Sequence, residues 1–305
     1  MYAPAGVKTD AKKVPVPDRM RAWVLGDPEQ LILTDKPVPV PARAEVLVRI
    51  DAVAICATDL DVIKSGPPAL IKGGLPFNKN WTPGHEYMGT VAALGPGVDE
   101  FAIGDRITVE IHAGCGQCKR CRMGMYTSCL NYGLNYGEVD KGHRANGFTT
   151  DGGFAEYAVN NINTLIKIAD TMSDEEATLV VTAGTSMYGL TELGGLIAGE
   201  SVVVIGPGPI GLLGVAVAKA LGAYPVFLTG TRDARLQKGR ELGEAVHRSP
   251  RGDDQRCLLV RHLVGDGDQR VDVVDGIFGK AAVGGEAVGA MALVDVAVVQ
   301  SVVVA

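Results

Sequence analysis

The chain has 305 residues, 47% hydrophobic and 21% charged, with a net charge of −6. That balance argues against a nucleic-acid surface, where phosphate neutralisation dominates affinity, and fits a globular protein long enough for two domains with separate cores. The N-terminal residues lack an apolar stretch between a basic start and a small-residue cleavage site. They read as cytoplasmic, a reducing setting in which clustered cysteines hold metal more often than they pair.

Residues 1–19 are polar, contain proline and show no periodicity, which predicts a mobile tail. From Met20 onward, β-type runs at 21–25, 30–35, 44–55, 89–94, 105–111 and 154–159 alternate with turns, predicting a compact β-rich domain over 20–175. Cys56, Ala57, Thr58 and Asp59 fall at the end of one such strand, and Gly84, His85 and Glu86 follow a proline-containing loop. Cysteine, histidine and glutamate are all zinc ligands, and a catalytic zinc takes three protein ligands while keeping one position open. Singly, Cys56 reads equally well as a small buried apolar residue, and His85 as a hydrogen-bonding group of the core.

Between Gly114 and Gly133, four cysteines stand together: Cys115, Cys118, Cys121 and Cys129, separated by two, two and seven residues. A ferredoxin-type iron–sulfur cluster requires a last gap of three residues followed by proline. Here the gap is seven and Leu130 follows, so the spacing points to a closed, tetrahedral structural zinc. The adjacent Lys119, Arg120 and Arg122 read as a solvated loop.

Near Thr171 the pattern changes. Ser173 and Glu176 form a capping-box signature that opens a helix, and an α/β unit is expected over 176–305. The β-branched run Val202–Ile205 leads into Gly206, Gly208, Pro209, Ile210 and Gly211, then an apolar helix. Between a strand and a helix, this glycine fingerprint predicts a dinucleotide site: a tight turn at Gly206, close pyrophosphate approach at Gly208, and helix–strand packing at Gly211. At the end of the next strand, where an acid would hold the ribose 2′-hydroxyl of NAD, stand Gly230, Thr231 and Arg232. Loss of the carboxylate and gain of a guanidinium favour NADP over NAD; Asp233 would reverse that preference if the register moved.

After Gly243 the text is charged and motif-poor. Residues 271–279 and the valine-rich end read as further strands; the apolar stretch 287–305 reads as buried strand rather than a membrane span.

The series CATD at 56–59, GHEYMGTVAALGPGVDEFAIGDRI at 84–107, the cysteine lobe, GGFAEYAV at 152–159 and VVVIGPGPIGLLGVAVAKALGA at 202–223 resembles the zinc-dependent medium-chain dehydrogenase/reductase family, in its alcohol, polyol and threonine dehydrogenase branch. The resemblance covers about Met20 to Gly243. It implies an α/β chain: a GroES-like β-rich catalytic domain followed by a partial Rossmann domain. It implies Cys56 and His85 as catalytic zinc ligands with Glu86 beside them, Thr58 as proton relay, Asp59 as a carboxylate behind the metal, and Cys115, Cys118, Cys121 and Cys129 around a structural zinc. The implied reaction moves a hydride between a secondary alcohol or polyol, or the matching carbonyl compound, and NAD(P). The implied partner is a small molecule, with neither nucleic acid nor membrane, and a homodimer or homotetramer is common in such enzymes.

Three positions depart from that pattern. Thr182 stands where relatives place a further ligand, Asp61 stands where some carry a relay histidine, and the text after about residue 243 is divergent or reads as truncated or frame-shifted. The alternative reading is a non-catalytic, zinc-stabilised remnant or nucleotide-binding protein.

Overall fold

The computed structural model describes residues 14–66, 81–126, 129–131, 145–148, 150–242, 245–248 and 302–304. The chain divides into two compact units, Met1–Val181 and Thr182–Ala305. Most of the expected tail, much of the stretches 65–81 and 135–149, the expected strand at 271–279 and nearly all of the apolar end lie outside the described residues.

In the first unit, β1 (Arg19–Leu25) and β2 (Leu31–Pro37) form an antiparallel pair. A five-stranded antiparallel sheet follows the order β6-β3-β4-β5-β7, built from β3 (Glu45–Ala54), β4 (Glu86–Leu94), β5 (Arg106–Val109), β6 (Tyr157–Asn161) and β7 (Leu165–Lys167). Strand β3 explains why this unit is compact. Side chains alternate across a strand, so Val46 and Val48 face one core with Tyr87, Val91, Ile107 and Ala158, while Leu47 faces another with Met20, Ala22, Ala92 and Tyr157. Both faces of the first half of β3 are therefore buried, and its apolar run Val46–Val48 is continuous, whereas the second half carries Arg49 and the exposed Asp51.

Helix α1 (Ala57–Ser65) starts directly after β3 and packs Val62 against Leu25 and Trp81. The short helix α2 (Lys119–Arg122) belongs to the cysteine lobe. Ser173 and Glu176 make the expected capping box: the Ser173 hydroxyl accepts from Glu176 N, and the Glu176 carboxylate accepts from Ser173 N. This opens α3 (Asp174–Thr178), followed by α4 (Val180–Tyr188), within which the division between the units falls.

In the second unit, β8 (Val202–Ile205), β9 (Val226–Gly230) and β10 (Ala245–Arg248) are parallel neighbours. Helix α5 (Pro209–Ala220) connects β8 to β9, and α6 (Asp233–Glu241) connects β9 to β10. Val202, Val204, Val215, Ala218, Val226, Leu228 and Leu236 form the core, as buried parallel strands with crossover helices require. A short last strand, β11 (Val302–Val304), joins the other side of β8 antiparallel, so the expected terminal strand reverses direction relative to the parallel core. Among the described residues, no helix is long and apolar enough to cross a membrane.

Candidate functional site

The first constellation is set by the corner between β3 and α1. Cys56 occupies the N-cap of α1, with extended φ and ψ of −82° and 156°. Its backbone N–H donates to Asp59 Oδ2 at 2.9 Å, closing a capping box that fixes the corner. The other oxygen of Asp59 lies 3.1 Å from His85 Nδ1, both side chains being almost completely buried. The approach is close, yet Nδ1 has no well-angled hydrogen-bond partner, so the contact is chiefly electrostatic. With Nδ1 turned to the carboxylate, Nε2 is the nitrogen available to a metal.

One ligand atom each from Cys56, His85 and Glu86 lies within 4.8 Å of the others. Burial pushes the Cys56 thiol up, but hydrogen bonding with His85, the Thr58 backbone and the imidazolium charge outweigh it, leaving the thiol below its ordinary range. Burial likewise pushes His85 down, and Asp59 and Cys56 more than reverse this, carrying it to about 9. The two shifts favour negative charge on the sulfur and positive charge beside it, an environment that suits a bound cation such as zinc. Thiolate, imidazole and carboxylate fit the donor set of a catalytic zinc. The Thr58 hydroxyl oxygen lies 3.6 Å from Cys56 Sγ. Asp61 is exposed on the outer face of α1, and Thr182 is buried within α4.

What brings His85 to this corner was not legible from motifs. Gly84, with φ of 95°, lies against Gly147, Gly152 and Phe154. A Cβ on Gly152 would stand 1.9 Å from the Gly84 carbonyl oxygen, and one on Gly147 would stand 2.4 Å from it. Three glycines therefore let two loops cross backbone to backbone immediately before the histidine. The ring of Phe148 covers the imidazole, with centroids 4.7 Å apart and planes inclined at 38°. Asp151 ties the same crossing to Thr82 N at 3.0 Å and to Lys36. The glycines of GFTTDGGF carried the signal, but not which strand they met.

The second constellation is the cysteine lobe. The Cys115 and Cys121 sulfurs are 3.9 Å apart, and those of Cys118 and Cys129 are 4.0 Å apart. Zinc–sulfur bonds of about 2.3 Å in a tetrahedron place sulfurs roughly 3.8 Å apart, whereas a disulfide needs about 2.0 Å. None of the four forms a disulfide. Backbone N–H groups of Cys118, Cys121 and Leu130 donate to Cys115 Sγ, Cys118 Sγ and Cys118 Sγ at 3.3, 3.4 and 3.4 Å. Donors from Cys121 and Leu130 lower Cys118 to about 6, while burial and the neighbouring Cys118 sulfur raise Cys121 to about 12. Without a cation the four sulfurs cannot all ionise, and their spacing fits the closed site read from the sequence. Beneath the lobe sits a carboxylate that sequence reasoning passed over: Glu110, which burial holds above the usual range against hydrogen bonds from the 111–112 backbone and Tyr126.

The third constellation is the turn after β8. Gly206 has φ of 102°, and a Cβ on Gly211 would stand 1.9 Å from the Gly206 carbonyl oxygen. These two glycines are required by the turn and by helix packing. A Cβ on Gly208 would meet nothing within 4 Å, so its bareness serves no internal contact and leaves an open cradle at the N-cap of α5, followed by Pro209. The Thr229 hydroxyl, at the end of β9, is buried with no partner. A pyrophosphate and ribose fit this arrangement of open backbone and unsatisfied donor.

Comparison with known proteins agrees with these features. Residues 42–170 match the alcohol dehydrogenase GroES-like domain family. L-threonine 3-dehydrogenase of Pyrococcus horikoshii is 37% identical over 219 residues, covering 69% of this chain and 56% of that protein. Sorbitol dehydrogenase of Bacillus subtilis is 32% identical over 232 residues, covering 76% and 61%. Among solved structures, a Sinorhizobium meliloti dehydrogenase described as zinc-binding, solved with NADP, superimposes with a TM-score of 0.64 at 27% identity, covering 87% of this chain and 66% of that one. The chain thus spans just over half the length of the curated relatives it matches. On the family match over residues 42–170 and identities of 37% and 32% across more than two thirds of its length, the chain belongs to the zinc-dependent medium-chain dehydrogenase/reductase family.

Proposed function

We propose that this protein is a zinc-dependent oxidoreductase that transfers a hydride between a secondary alcohol or polyol, or the matching ketone or aldehyde, and a nicotinamide dinucleotide, NADP in preference to NAD. The observation that carries the reading is the meeting of Cys56, His85 and Glu86 within 4.8 Å, backed by Asp59. The names of the relatives, a threonine and a sorbitol dehydrogenase, support a hydroxylated small molecule as substrate.

Cys56, His85 and Glu86 would hold one zinc, and Cys115, Cys118, Cys121 and Cys129 another. When bound, the first supplies Lewis acidity toward a substrate oxygen, and the dinucleotide supplies or accepts the hydride. The remaining work falls to side chains of this chain. Asp59 anchors the corner through Cys56 N and holds His85 by its Nδ1 side, which fixes the imidazole's orientation. Thr58, whose hydroxyl lies beside the Cys56 sulfur, would take the substrate hydroxyl proton and pass its own to water. Phe148 covers one face of His85 and keeps water from it. The cysteine lobe does no chemistry and stiffens the first unit.

The test is NADP reduction measured with a panel of threonine, sorbitol and simple secondary alcohols, on protein reconstituted with zinc and on protein stripped by a chelator. Zinc-dependent reduction with at least one substrate is expected. Equal rates with and without zinc, or none on any alcohol, would overturn the proposal.

A further inference from the structure

We propose that Pro207 is a specificity-determining residue for the dinucleotide, acting with Gly230 as a steric lock that bars an acidic side chain from the end of β9. The inference rests on the NADP reading above and names the packing that enforces it.

The two residues are 23 positions apart in sequence but in contact in the fold. A Cβ built on Gly230 would lie 2.3 Å from Pro207 Cδ and 2.7 Å from Pro207 Cγ, with Leu236 Cδ2 at 3.6 Å on another side. Cβ atoms essentially never approach a neighbour within 3.0 Å. A long side chain could rotate away, but the pyrrolidine ring is closed onto its own backbone and has no such freedom. Pro207 is also held between Gly206, whose φ of 102° forms the turn, and Gly208, which caps α5. Moving the ring therefore means moving the turn on which the pyrophosphate would rest.

The bare positions at this turn consequently have different causes. Gly208 is bare with open space around it, as a ligand cradle requires; Gly230 is bare because Pro207 fills the place of its side chain. Position 230 ends the second strand of the unit, where an aspartate or glutamate would reach the ribose hydroxyls of NAD. With Pro207 in place no residue carrying a Cβ fits there, so the chain cannot acquire that carboxylate by one substitution. The next residues, Thr231 and the exposed Arg232 at the N-cap of α6, then meet the ribose with no carboxylate at position 230, the nearest acid in sequence being Asp233 in the first turn of α6. A guanidinium in that position suits the planar, multidentate recognition of a 2′-phosphate.

The experiment is a double-mutant cycle on the full chain with P207A, G230A, G230D and the two double variants. Dissociation constants for NADPH and NADH are read by fluorescence, and thermal midpoints are read alongside. G230A is expected to lower the midpoint by roughly 3 °C or more, and P207A/G230A to lie close to P207A. Wild type should bind NADPH roughly tenfold or more tighter than NADH. P207A/G230D should reverse that order, whereas G230D alone, if it folds, should gain no NADH affinity. A G230A midpoint equal to wild type, or NADH binding gained by G230D alone as fully as by the double variant, would overturn the lock. Wild type preferring NADH, with the thermal coupling between Pro207 and Gly230 intact, would instead overturn the NADP reading and the specificity role that depends on it.

Discussion

The backbone crossing that delivers His85 makes a quantitative prediction for Gly152→Ala. The added methyl would stand 1.9 Å from the Gly84 carbonyl oxygen, 2.6 Å from Gly147 Cα and 2.9 Å from the Pro83 carbonyl oxygen. All three neighbours are backbone, so no side chain can turn aside to make room. The Gly84 carbonyl would have to retreat by about 1 Å in a close-packed interior before the contact became tolerable. Overpacking of this kind costs about 1–3 kcal/mol, and backbone neighbours place this site near the upper figure. For a unit of this size, about 3 kcal/mol corresponds to a fall in thermal midpoint of roughly 6–12 °C. Gly84 precedes His85 directly, so the displacement also loosens the first metal site. Thermal denaturation of zinc-saturated wild type and variant, followed by circular dichroism, measures the first effect; zinc competition against a chromophoric chelator measures the second. A midpoint within about 1 °C of wild type would refute the reasoning.

Other consequences are equally direct. Asp59→Asn keeps an acceptor for Cys56 N but removes the charge facing His85 Nδ1, so zinc affinity at the first site should fall roughly 10–100-fold in the same competition assay, with the cysteine lobe unaffected. Gly208→Ala adds a methyl with nothing within 4 Å, so the thermal midpoint should stay at wild type while calorimetric titration shows weakened dinucleotide binding. Glu110 is an acid whose folded pKa is raised, chiefly by burial. The folded state therefore keeps its proton after the unfolded chain has lost it, and stability falls as pH rises from the unfolded value of about 4.5 through the folded one. Glu110→Gln removes that loss, so wild type and variant should have nearly equal midpoints at acid pH and diverge in the variant's favour as pH rises through this window. A constant difference across the window would count against this explanation.

The clustering of the two candidate ligand sets was legible in the sequence because it resides in residue type and local spacing. Four cysteines within fifteen residues can close on one ion, and Cys56 with Asp59 share the first turn of a helix, where the N-cap brings them together. The strands of the first unit were legible for a similar reason: short apolar, valine-rich runs such as Val46–Val48, bounded by turns, favour a buried strand. Non-local contacts were not legible. The approach of Gly152 to Gly84 spans 68 positions, and that of Gly230 to Pro207 spans 23; in both, the signal is a missing side chain whose partner only the fold reveals. Phe148 on His85 is another such case, since an aromatic residue in a loop gives no indication of what it covers. The direction of β11 was similarly hidden, because a valine-rich run is apolar in either orientation.

The account's central claim is that Cys56, His85 and Glu86 form a metal site separate from the cysteine lobe. Elemental analysis of zinc per chain, on purified wild type beside Cys56→Ala, tests it most directly. The account predicts two zinc ions per chain in wild type and one in the variant, the survivor being held by Cys115, Cys118, Cys121 and Cys129. One zinc in both proteins would contradict it, leaving a stapled lobe beside a reacting centre that takes no metal.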